Sequence, residues 1–315
     1  MPPAELAALS AEEIIEKLES GQISLLKSFG ADEIRDEMKK VGKVCRSVLR
    51  LIFLTSRFHS KSKRYWQRIR LRAASLISFF FPYTINDSNL ETNSNGLIIG
   101  FNHLALHEIL SLIAFALKKF NTRRNNFPTN LPWYESICTK SSKLRSIGIY
   151  MMPLITPSTS NLIRRLQQDE EVLRCMEKVK EKLLQHYINK AVEFSKSGDN
   201  TFAAPSATRQ ATIFPSLDAY QNYEKRTNLY PVMGMLKLHI KRYAKEAKVD
   251  FVPITVMPQS RQHSRGLDLF KRYALIIGRT ISIEEATNIR NFDHEFLKRI
   301  AENAPEYLWH PKATT

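Results

Sequence analysis

A histidine and a carboxylate lie close together in the sequence, where an apolar run gives way to a helical pattern. His103 follows the run GLIIGFN, and Glu108 comes five residues later. On one continuous helix the two side chains would differ by about 140° around the axis and could not meet. They can meet if His103 lies in the turn before the helix and Glu108 lies inside it. A carboxylate placed there fixes the imidazole tautomer and stabilises the imidazolium, so the pair can act as a general base.

Two other interpretations of His103 stay open. His103 and His107 have the i, i+4 spacing of two metal ligands on one helix face. The sequence shows no third group of ligands, so no metal is expected. His103 can also be a structural residue whose imidazole only completes hydrogen bonds in the core.

A second group of polar residues follows another strand-like run, TFAAPS at 201–206. The run leads into Pro-Ser-x-Thr-Arg, which offers two hydroxyls, backbone N–H groups and a guanidinium. Arginine binds phosphate through two parallel hydrogen bonds, which makes Arg209 the candidate phosphate ligand. The candidate binding residues are Ser206, Ala207, Thr208 and Arg209. Ser206 as a nucleophile is a rival interpretation, although the Gly-x-Ser-x-Gly turn that exposes such serines is missing.

Apolar runs alternate with helical patterns through most of the chain, which is typical of an α/β fold. The strand-like runs lie at 96–103, 201–206, 249–258 and 273–283. The helical patterns lie at 107–120, 161–195, 233–248 and 292–303. We therefore predict an α/β fold with a largely parallel sheet flanked by helices, together with an N-terminal helical subdomain. The predicted boundary gives a helical, basic subdomain at 1–88 and an α/β domain at 89–315.

The first 86 residues show only helical patterns. Ser10 and Glu13 have the spacing of a capping box, and Gly21 suits a helix stop. A later helix is predicted from about Arg64 to Phe80, with Pro82 ending it. The N-terminal region is therefore predicted to contain no strand.

Charge is unevenly distributed in this N-terminal region. The segment from Met38 to Asn86 carries twelve Lys and Arg and no acidic residue. These basic residues flank two apolar blocks, VLRLIFLTSRF and ASLISFFFPY. Such a pattern suits a helical hairpin lying in the interface of an anionic bilayer. A solvated basic face over an ordinary core is the alternative.

The amino-acid composition indicates which kind of partner the protein binds and in which cellular compartment it lies. Lys and Arg number 47 against 31 Asp and Glu, a formal net charge of +16, which points to an anionic partner. Three widely spaced cysteines, Cys45, Cys138 and Cys175, make no disulfide framework and fit a reducing compartment. The first residues lack the pattern of a secretory signal, and no apolar stretch reaches the ~20 residues of a membrane span. We expect a cytoplasmic protein that binds the membrane surface.

Nucleic acid is the competing anionic partner. The net charge and the aromatic residues Tyr65 and Trp66 among the basic ones would suit it. The sequence shows no zinc-finger, RNP or helix-turn-helix signature, so no nucleic-acid partner is expected.

The two polar segments resemble blocks of the glycerolipid acyltransferase family, which includes glycerol-3-phosphate and 1-acylglycerol-3-phosphate acyltransferases. Asn102-His103-x4-Glu108 resembles the first block, Asn-His-x4-Asp, with Glu in the place of Asp. Residues 204–209, Ala-Pro-Ser-Ala-Thr-Arg, resemble the phosphate-binding block Phe-Pro-Glu-Gly-Thr-Arg and its plastid form Ala-Pro-Ser-Gly-Gly-Arg. Ala207 stands in the place of a Gly in both forms.

Two further blocks follow the family order. Residues 146–152, with Gly148 followed by apolar residues, resemble the start of the middle block. The basic residue expected after it is missing, and Lys140, Lys143 and Arg145 precede it instead. Residues 251–256 resemble the last block, an apolar strand with Pro. The resemblance spans roughly residues 95–310.

The resemblance implies acyl transfer from a thioester of coenzyme A or acyl carrier protein to a phosphorylated glycerol or lysophospholipid, with no cofactor. It implies His103 as general base and Glu108 as its partner. Backbone N–H groups near Ser206 would hold the oxyanion, and Arg209 would hold an acceptor phosphate. The other substrate-binding candidates are Gly148, Lys140, Lys143 and Arg145. The departures at positions 108, 206 and 207 leave a second hypothesis, a catalytically inactive lipid-binding protein on the same fold.

Overall fold

The structure is a computed structural model of the 315-residue chain. It describes residues 1–34, 43, 47, 50, 63–87, 90, 96–102, 107–204, 246–247, 249–258, 270, 272–290, 292, 295–296 and 299–300. At positions 63, 107, 108, 140 and 258 the description covers the backbone alone.

The described helices are α1 (Pro3–Ala8), α2 (Ala11–Glu19), α3 (Leu25–Ser28), α4 (Lys63–Phe80), α5 (His107–Lys119), α6 (Leu131–Ile137), α7 (Ser141–Ser146), α8 (Pro157–Leu166), α9 (Glu170–Lys196) and α10 (Ile283–Asn288), with a 3-10 turn at Cys138–Lys140. The described strands are β1 (Tyr83–Asn86), β2 (Gly96–Phe101), β3 (Asn125–Asn130), β4 (Ile149–Leu154), β5 (Asn200–Ala203), β6 (Val249–Pro258), β7 (Tyr273–Ile277) and β8 (Ile281–Ser282).

The chain divides into two compact units. The first combines Met1–Ala73 with Arg124–Ala191, and the second combines Ala74–Arg123 with Val192–Thr315. Strands β3 and β4 belong to the first unit, and the other six described strands belong to the second. The boundary predicted between residues 88 and 89 stays a prediction.

The second unit is built on strands paired in the order β1, β7, β6, β2, β5. The pairs β1–β7, β6–β2 and β2–β5 are parallel, whereas β6 runs antiparallel to β7 and to β8. All six residues of β2 are buried, as expected for a central strand that is covered on both faces. This explains why its sequence, GLIIGF, is a continuous apolar run rather than an alternating one.

A glycine in β2 allows an aromatic ring to pack against the strand. A Cβ placed on Gly100 would collide with the ring of Phe296. Phe296 stacks on Phe292 with 5.5 Å between ring centroids, and Phe292 meets Phe251 of β6 at 4.7 Å. The three rings are buried and form part of the core beside β2 and β6.

The first unit joins N-terminal helices to later parts of the chain. The capping box predicted at the start of α2 is present, since the Ser10 backbone N–H donates to Glu13 Oε2 at 2.7 Å and the Glu13 N–H donates to Ser10 Oγ at 3.2 Å. Glu12 of α2 contacts His186 Nδ1 of α9 at 2.9 Å. Lys182 of α9 donates to the Ala7 carbonyl oxygen, in the last turn of α1, and to the Leu9 carbonyl oxygen, just after it, at 2.7 Å each.

Strands β3 and β4 pair in parallel within this unit, from Asn125 opposite Ile149 to Asn130 opposite Leu154. Thr156 and Thr159, at the start of α8, both donate to the Asn130 side-chain oxygen, at 3.2 Å and 2.7 Å. These bonds connect the end of β3 to the first turn of the helix that follows β4.

The predicted α/β fold with mainly parallel strands and flanking helices is confirmed. The strands β2 and β6 and the helices α4 and α5 lie within one or two residues of their predicted positions. Of the helix predicted at 292–303, the described residues 292, 295–296 and 299–300 are helical. Nearly all of the helix predicted at 233–248 lies outside the described residues.

Three predictions about individual elements are wrong. The region 1–86 is not wholly helical, because the β-branched residues after Pro82 form strand β1 along β7. The single strand predicted at 273–283 is two strands, β7 and β8, followed by α10. The single helix predicted at 161–195 is two helices, α8 and α9, separated at Gln167, whose φ of −116° and ψ of 126° are those of extended chain.

Among the described helices, none combines the length and the apolar character that a bilayer crossing needs.

Candidate functional site

The residue that follows β2 is fixed to the neighbouring strand by its side chain. Asn102 is completely buried. Its Nδ2 donates to the Val256 carbonyl oxygen at 2.8 Å, and its Oδ1 accepts from the Val256 backbone N–H at 2.6 Å. One amide side chain thereby satisfies both backbone groups of a β6 residue. The chain position at which β2 ends is therefore defined by two hydrogen bonds as well as by the strand pairing.

Two strand ends lie side by side at this edge of the second unit. β2 runs parallel to β5, with Gly100 opposite Ala203, and parallel to β6, with Phe101 opposite Ile254. The carboxyl ends of neighbouring parallel strands meet at one edge, which is where open α/β sheets bind their ligands. The described chain leaves β2 at Asn102 and β5 at Ala204.

Helix α5 resumes the described chain at His107, so Glu108 is the second residue of the helix. Ser111 anchors the helix, since its hydroxyl donates to the Phe81 carbonyl oxygen at 3.2 Å. The apolar side chains from Leu112 to Leu117 are buried. The described helix begins at His107, as predicted for its bounds, and the place of His103 in the turn before it stays a prediction.

Five of the ten predicted site residues lie outside the described residues: His103, Ser206, Ala207, Thr208 and Arg209. The side chains of Glu108 and Lys140 also lie outside the description. Their roles stay predictions. The other three, Lys143, Arg145 and Gly148, lie in the first unit, at α7 and the turn that precedes β4.

Gly148 occupies a backbone conformation that suits glycine. Its φ is +79°, and its carbonyl oxygen accepts from the Asn125 N–H at 2.8 Å, at the start of the β3–β4 pairing. A Cβ placed there would lie only 2.7 Å from Nη2 of Arg70. The guanidinium of Arg70, on α4, therefore packs against this turn. The sequence offers no local signal for this contact, since the two residues are distant in the chain.

Arg145 is held in an internal ion pair. Its Nη1 and Nη2 donate to Oε1 and Oε2 of Glu19, at 2.7 Å and 2.6 Å, and the Tyr134 hydroxyl donates to the same carboxylate at 2.9 Å. The hydrogen bond with Glu19 raises the pKa of Arg145. Of the basic candidates near Gly148, Arg145 thus connects α7 to the N-terminal helix α2, whereas Lys143 is exposed.

The Glu19 carboxylate gives the stability of the protein a pH dependence. Burial by itself raises the pKa of Glu19, but hydrogen bonds from Arg145, Ser141 and Tyr134 outweigh burial and hold it below the usual 4.5. A carboxylate with a lowered folded-state pKa stabilises fully above its unfolded pKa, and this stabilisation is lost as pH falls through the folded value.

Glu19→Gln is therefore expected to lower the free energy of unfolding at neutral pH by about 1–3 kcal/mol, because hydrogen bonds to a charged group are lost. The difference from wild type should shrink below about pH 4.5. Urea unfolding at several pH values measures it. Glu16→Gln, an exposed change on the same helix, is the control and should leave the pH profile unchanged. A constant difference between Glu19→Gln and wild type at all pH values would contradict the assignment.

Other reactive groups in the described part of the chain give no second site. No three His, Cys, Asp or Glu side chains there are grouped as metal ligands. Cys138 is buried, and its thiol donates to the Leu18 carbonyl oxygen at 3.1 Å. Burial, reinforced by the charge of Glu135, raises the pKa of this thiol to about 11. Cys138 is therefore a thiol rather than a nucleophilic thiolate at neutral pH.

Comparison with known proteins finds structural similarity but no sequence match. No protein-family model matches the sequence, and no curated protein sequence matches it significantly. The chain is similar to the crystal structure of the 1-acyl-sn-glycerophosphate (LPA) acyltransferase PlsC from Thermotoga maritima, at 12% identity. The match covers 87% of this chain and 96% of that chain, with a TM-score of 0.48. These comparisons do not assign the chain to a family.

Proposed function

We propose that this chain is an O-acyltransferase. It moves a fatty acyl group from a thioester of coenzyme A or acyl carrier protein to a hydroxyl of a glycerol phosphate or lysophospholipid. The support is the order and position of the four sequence blocks. Two of them directly follow the neighbouring strands β2 and β5, one begins at the turn before β4, and one lies in β6.

The register of β2 and β5 carries the proposal. Gly100 lies opposite Ala203 in parallel strands. His103 comes three residues after Gly100, and Ser206 comes three residues after Ala203. The candidate base and the segment with the candidate oxyanion and phosphate ligands therefore follow the same register pair at equal distances along the chain. Parallel strands favour such an arrangement because both chains leave the sheet at one edge.

The proposed reaction needs no covalent intermediate on the protein. His103 removes the proton from the acceptor hydroxyl while the hydroxyl oxygen attacks the thioester carbonyl carbon. The tetrahedral intermediate then collapses, the carbon–sulfur bond breaks, and the thiolate leaves and takes up the proton from the imidazolium. Glu108 orients His103 and stabilises its protonated form. Backbone N–H groups between Ser206 and Thr208 hold the oxyanion.

Arg209 is the proposed ligand of the acceptor phosphate. A guanidinium that holds the phosphate through two hydrogen bonds positions the hydroxyl for attack. Lys140, Lys143 and Gly148 remain further candidates for acceptor binding. For Arg145 the bidentate pair with Glu19 favours a role in positioning α7. The fatty acyl chain and a lysophospholipid acceptor both favour a membrane, so the proposed place of action is the cytoplasmic surface of a membrane.

A second candidate function is lipid binding without catalysis. It rests on Glu108 in the position where the family has Asp, and on Ala207 where it has Gly. Ala207 adds a methyl group where the close approach of backbone to an oxyanion would favour glycine. Both candidate functions require binding of a lipid, but only the acyltransferase converts it into an ester product.

Mass spectrometry of reaction products tests the proposal. The purified chain is incubated with palmitoyl-coenzyme A or palmitoyl-acyl carrier protein and, separately, with glycerol 3-phosphate, lysophosphatidic acid or lysophosphatidylcholine. We expect one acceptor to gain the mass of a palmitoyl ester, together with release of free thiol. An unchanged lipid that copurifies with the protein, without any ester product, would favour lipid binding and reject the enzyme.

A further inference from the structure

Helix α4 presents one continuous exposed face that combines arginines with apolar side chains. The exposed residues between positions 64 and 79 are Arg64, Arg68, Leu71, Arg72, Ser75 and Phe79. At 100° per residue these six positions fall within an arc of about 100° and extend over about 22 Å of helix. The helix contains no acidic residue. The opposite face carries the buried residues Ile69, Ala73, Ala74 and Ile77.

The C-terminal end of this face is an exposed aromatic cluster. Phe79 is 65% exposed, Phe270 is 57% exposed, and their ring centroids lie 5.8 Å apart at an interplanar angle of 89°. Phe80 completes the cluster, at 5.2 Å from Phe79 and 6.0 Å from Phe270. Large apolar side chains grouped on a surface usually mark an interaction site.

The backbone at Phe270 supports this interpretation. Its φ is 65°, a conformation that bulky residues adopt at a cost of about 1–3 kcal/mol. Phe270 is the only residue other than glycine that has a positive φ among the described residues. Its N–H donates to the Phe80 carbonyl oxygen at 2.7 Å, which holds the ring beside the end of α4.

We propose that this face docks on an anionic lipid bilayer, with Phe79 and Phe270 inserted at the level of the acyl chains and Arg64, Arg68 and Arg72 contacting lipid phosphates. Binding of such surfaces to a bilayer combines burial of apolar side chains with attraction to anionic lipids, and each basic residue near an anionic surface adds about 1 kcal/mol of binding. The absence of acidic residues from α4 fits an anionic partner.

The proposed membrane-binding surface is smaller than the helical hairpin predicted from the sequence. Of the apolar block ASLISFFFPY, the side chains of Ala74, Ile77 and Phe81 are buried at 4% exposure or less. These three side chains therefore belong to the protein core, and Phe79 is the large exposed side chain of the block. The first predicted block, VLRLIFLTSRF, lies outside the described residues apart from Arg50.

Vesicle sedimentation tests the docking face. The protein is mixed with vesicles of phosphatidylcholine alone or of phosphatidylcholine with phosphatidylglycerol, without any acyl donor or acceptor. The triple change Arg64→Gln, Arg68→Gln and Arg72→Gln is expected to weaken binding to the anionic vesicles about 150-fold, since three losses of about 1 kcal/mol multiply to that factor. Phe79→Ser is expected to weaken it about tenfold.

A matched control removes the same charge elsewhere. Arg165→Gln in α8 and Arg174→Gln and Lys178→Gln in α9 change three exposed basic residues, and the triple variant should keep vesicle binding within about twofold of wild type. Thermal unfolding confirms that each variant is folded. Equal losses in both triple variants, or no binding of wild type to anionic vesicles, would overturn the proposal.

Two further measurements sharpen the test. With Phe79→Trp, brominated lipids should quench additional tryptophan fluorescence, whereas the absence of extra quenching would place position 79 outside the bilayer. Tighter binding of a DNA duplex than of anionic vesicles, abolished by the α4 triple change, would reject lipid in favour of nucleic acid. Because no substrate is present, failure here leaves the acyl-transfer proposal intact, and the reverse also holds.

Discussion

Replacement of His103 by alanine is expected to lower the rate of acyl transfer by about 10²–10⁴, the usual contribution of a positioned general base. The loss should appear in kcat rather than in KM, because the proton moves only in the transition state. Initial rates of thiol release at saturating acyl thioester and acceptor measure it. A His103→Ala variant that matches wild type in product formation would reject the proposed mechanism.

Matched variants separate catalysis from folding. His186→Gln removes a histidine of the first unit whose imidazole contacts Glu12, and it should leave kcat within about twofold. Glu108→Gln should lower kcat less than His103→Ala does, because it removes an orienting charge and leaves the base in place. A Glu108→Gln variant as inactive as His103→Ala would instead favour a direct role of the carboxylate in proton transfer.

Replacement of Asn102 by alanine is expected to lower the free energy of unfolding by about 2–6 kcal/mol. Both backbone groups of Val256 would lose their partner in a fully buried place, and each buried unsatisfied group costs about 1–3 kcal/mol. Urea unfolding measures the change. Activity should fall more than stability alone explains, because Asn102 defines where the chain leaves β2 immediately before His103.

Two controls accompany Asn102→Ala. Asn189→Ala removes an exposed asparagine of α9 and should change stability by less than about 0.5 kcal/mol. Asn102→Asp keeps the acceptor for the Val256 N–H but turns a carboxylate oxygen toward the Val256 carbonyl, so it should also destabilise. If Asn102→Ala unfolds at the wild-type urea concentration, the two hydrogen bonds are not important for the strand end.

The elements predicted best are those whose apolar sequence pattern agrees with their burial in the folded protein. The apolar runs of β2 and β6 are buried on both faces, so composition alone marks them as strands. Strand β3 shows the opposite case. Its sequence, NNFPTN, is rich in Asn and contains Pro, which predicts a loop, yet it pairs with β4 over its whole length. Pairing and burial override local preference there.

The break between α8 and α9 had a signal in the sequence. Asp169 accepts from the N–H groups of Glu171 and Val172, at 2.8 Å and 3.3 Å, and so caps the start of α9. An Asp followed by two Glu is typical of a helix start. The helical pattern was nevertheless interpreted as continuous across 161–195, so the break was not predicted. No comparable local signal exists for the Glu19–Arg145 pair, whose partners lie 126 residues apart.

For the candidate site, the sequence predicted a helix from His107, as the structure has it, whereas the predicted strand runs 96–103 and 201–206 extend beyond β2 and β5, which end at Phe101 and Ala203. It did not predict that Asn102 would bind Val256, because hydrogen bonding between strands depends on a register that only the folded chain defines. The packing of Arg70 on Gly148 could not be predicted either, because the two residues are distant in the chain.

The discontinuous first unit constrains the order of events during synthesis on the ribosome. Glu12 meets His186, a residue 174 positions later in the chain. The six-residue α1 and the nine-residue α2 are too short to be stable helices alone. The hydrogen bonds from Lys182 to the Ala7 and Leu9 carbonyl oxygens, like the Glu12–His186 contact, can form only once α9 has been translated. The segment that carries α1 and α2 therefore reaches its folded contacts only after residue 186 has been synthesised.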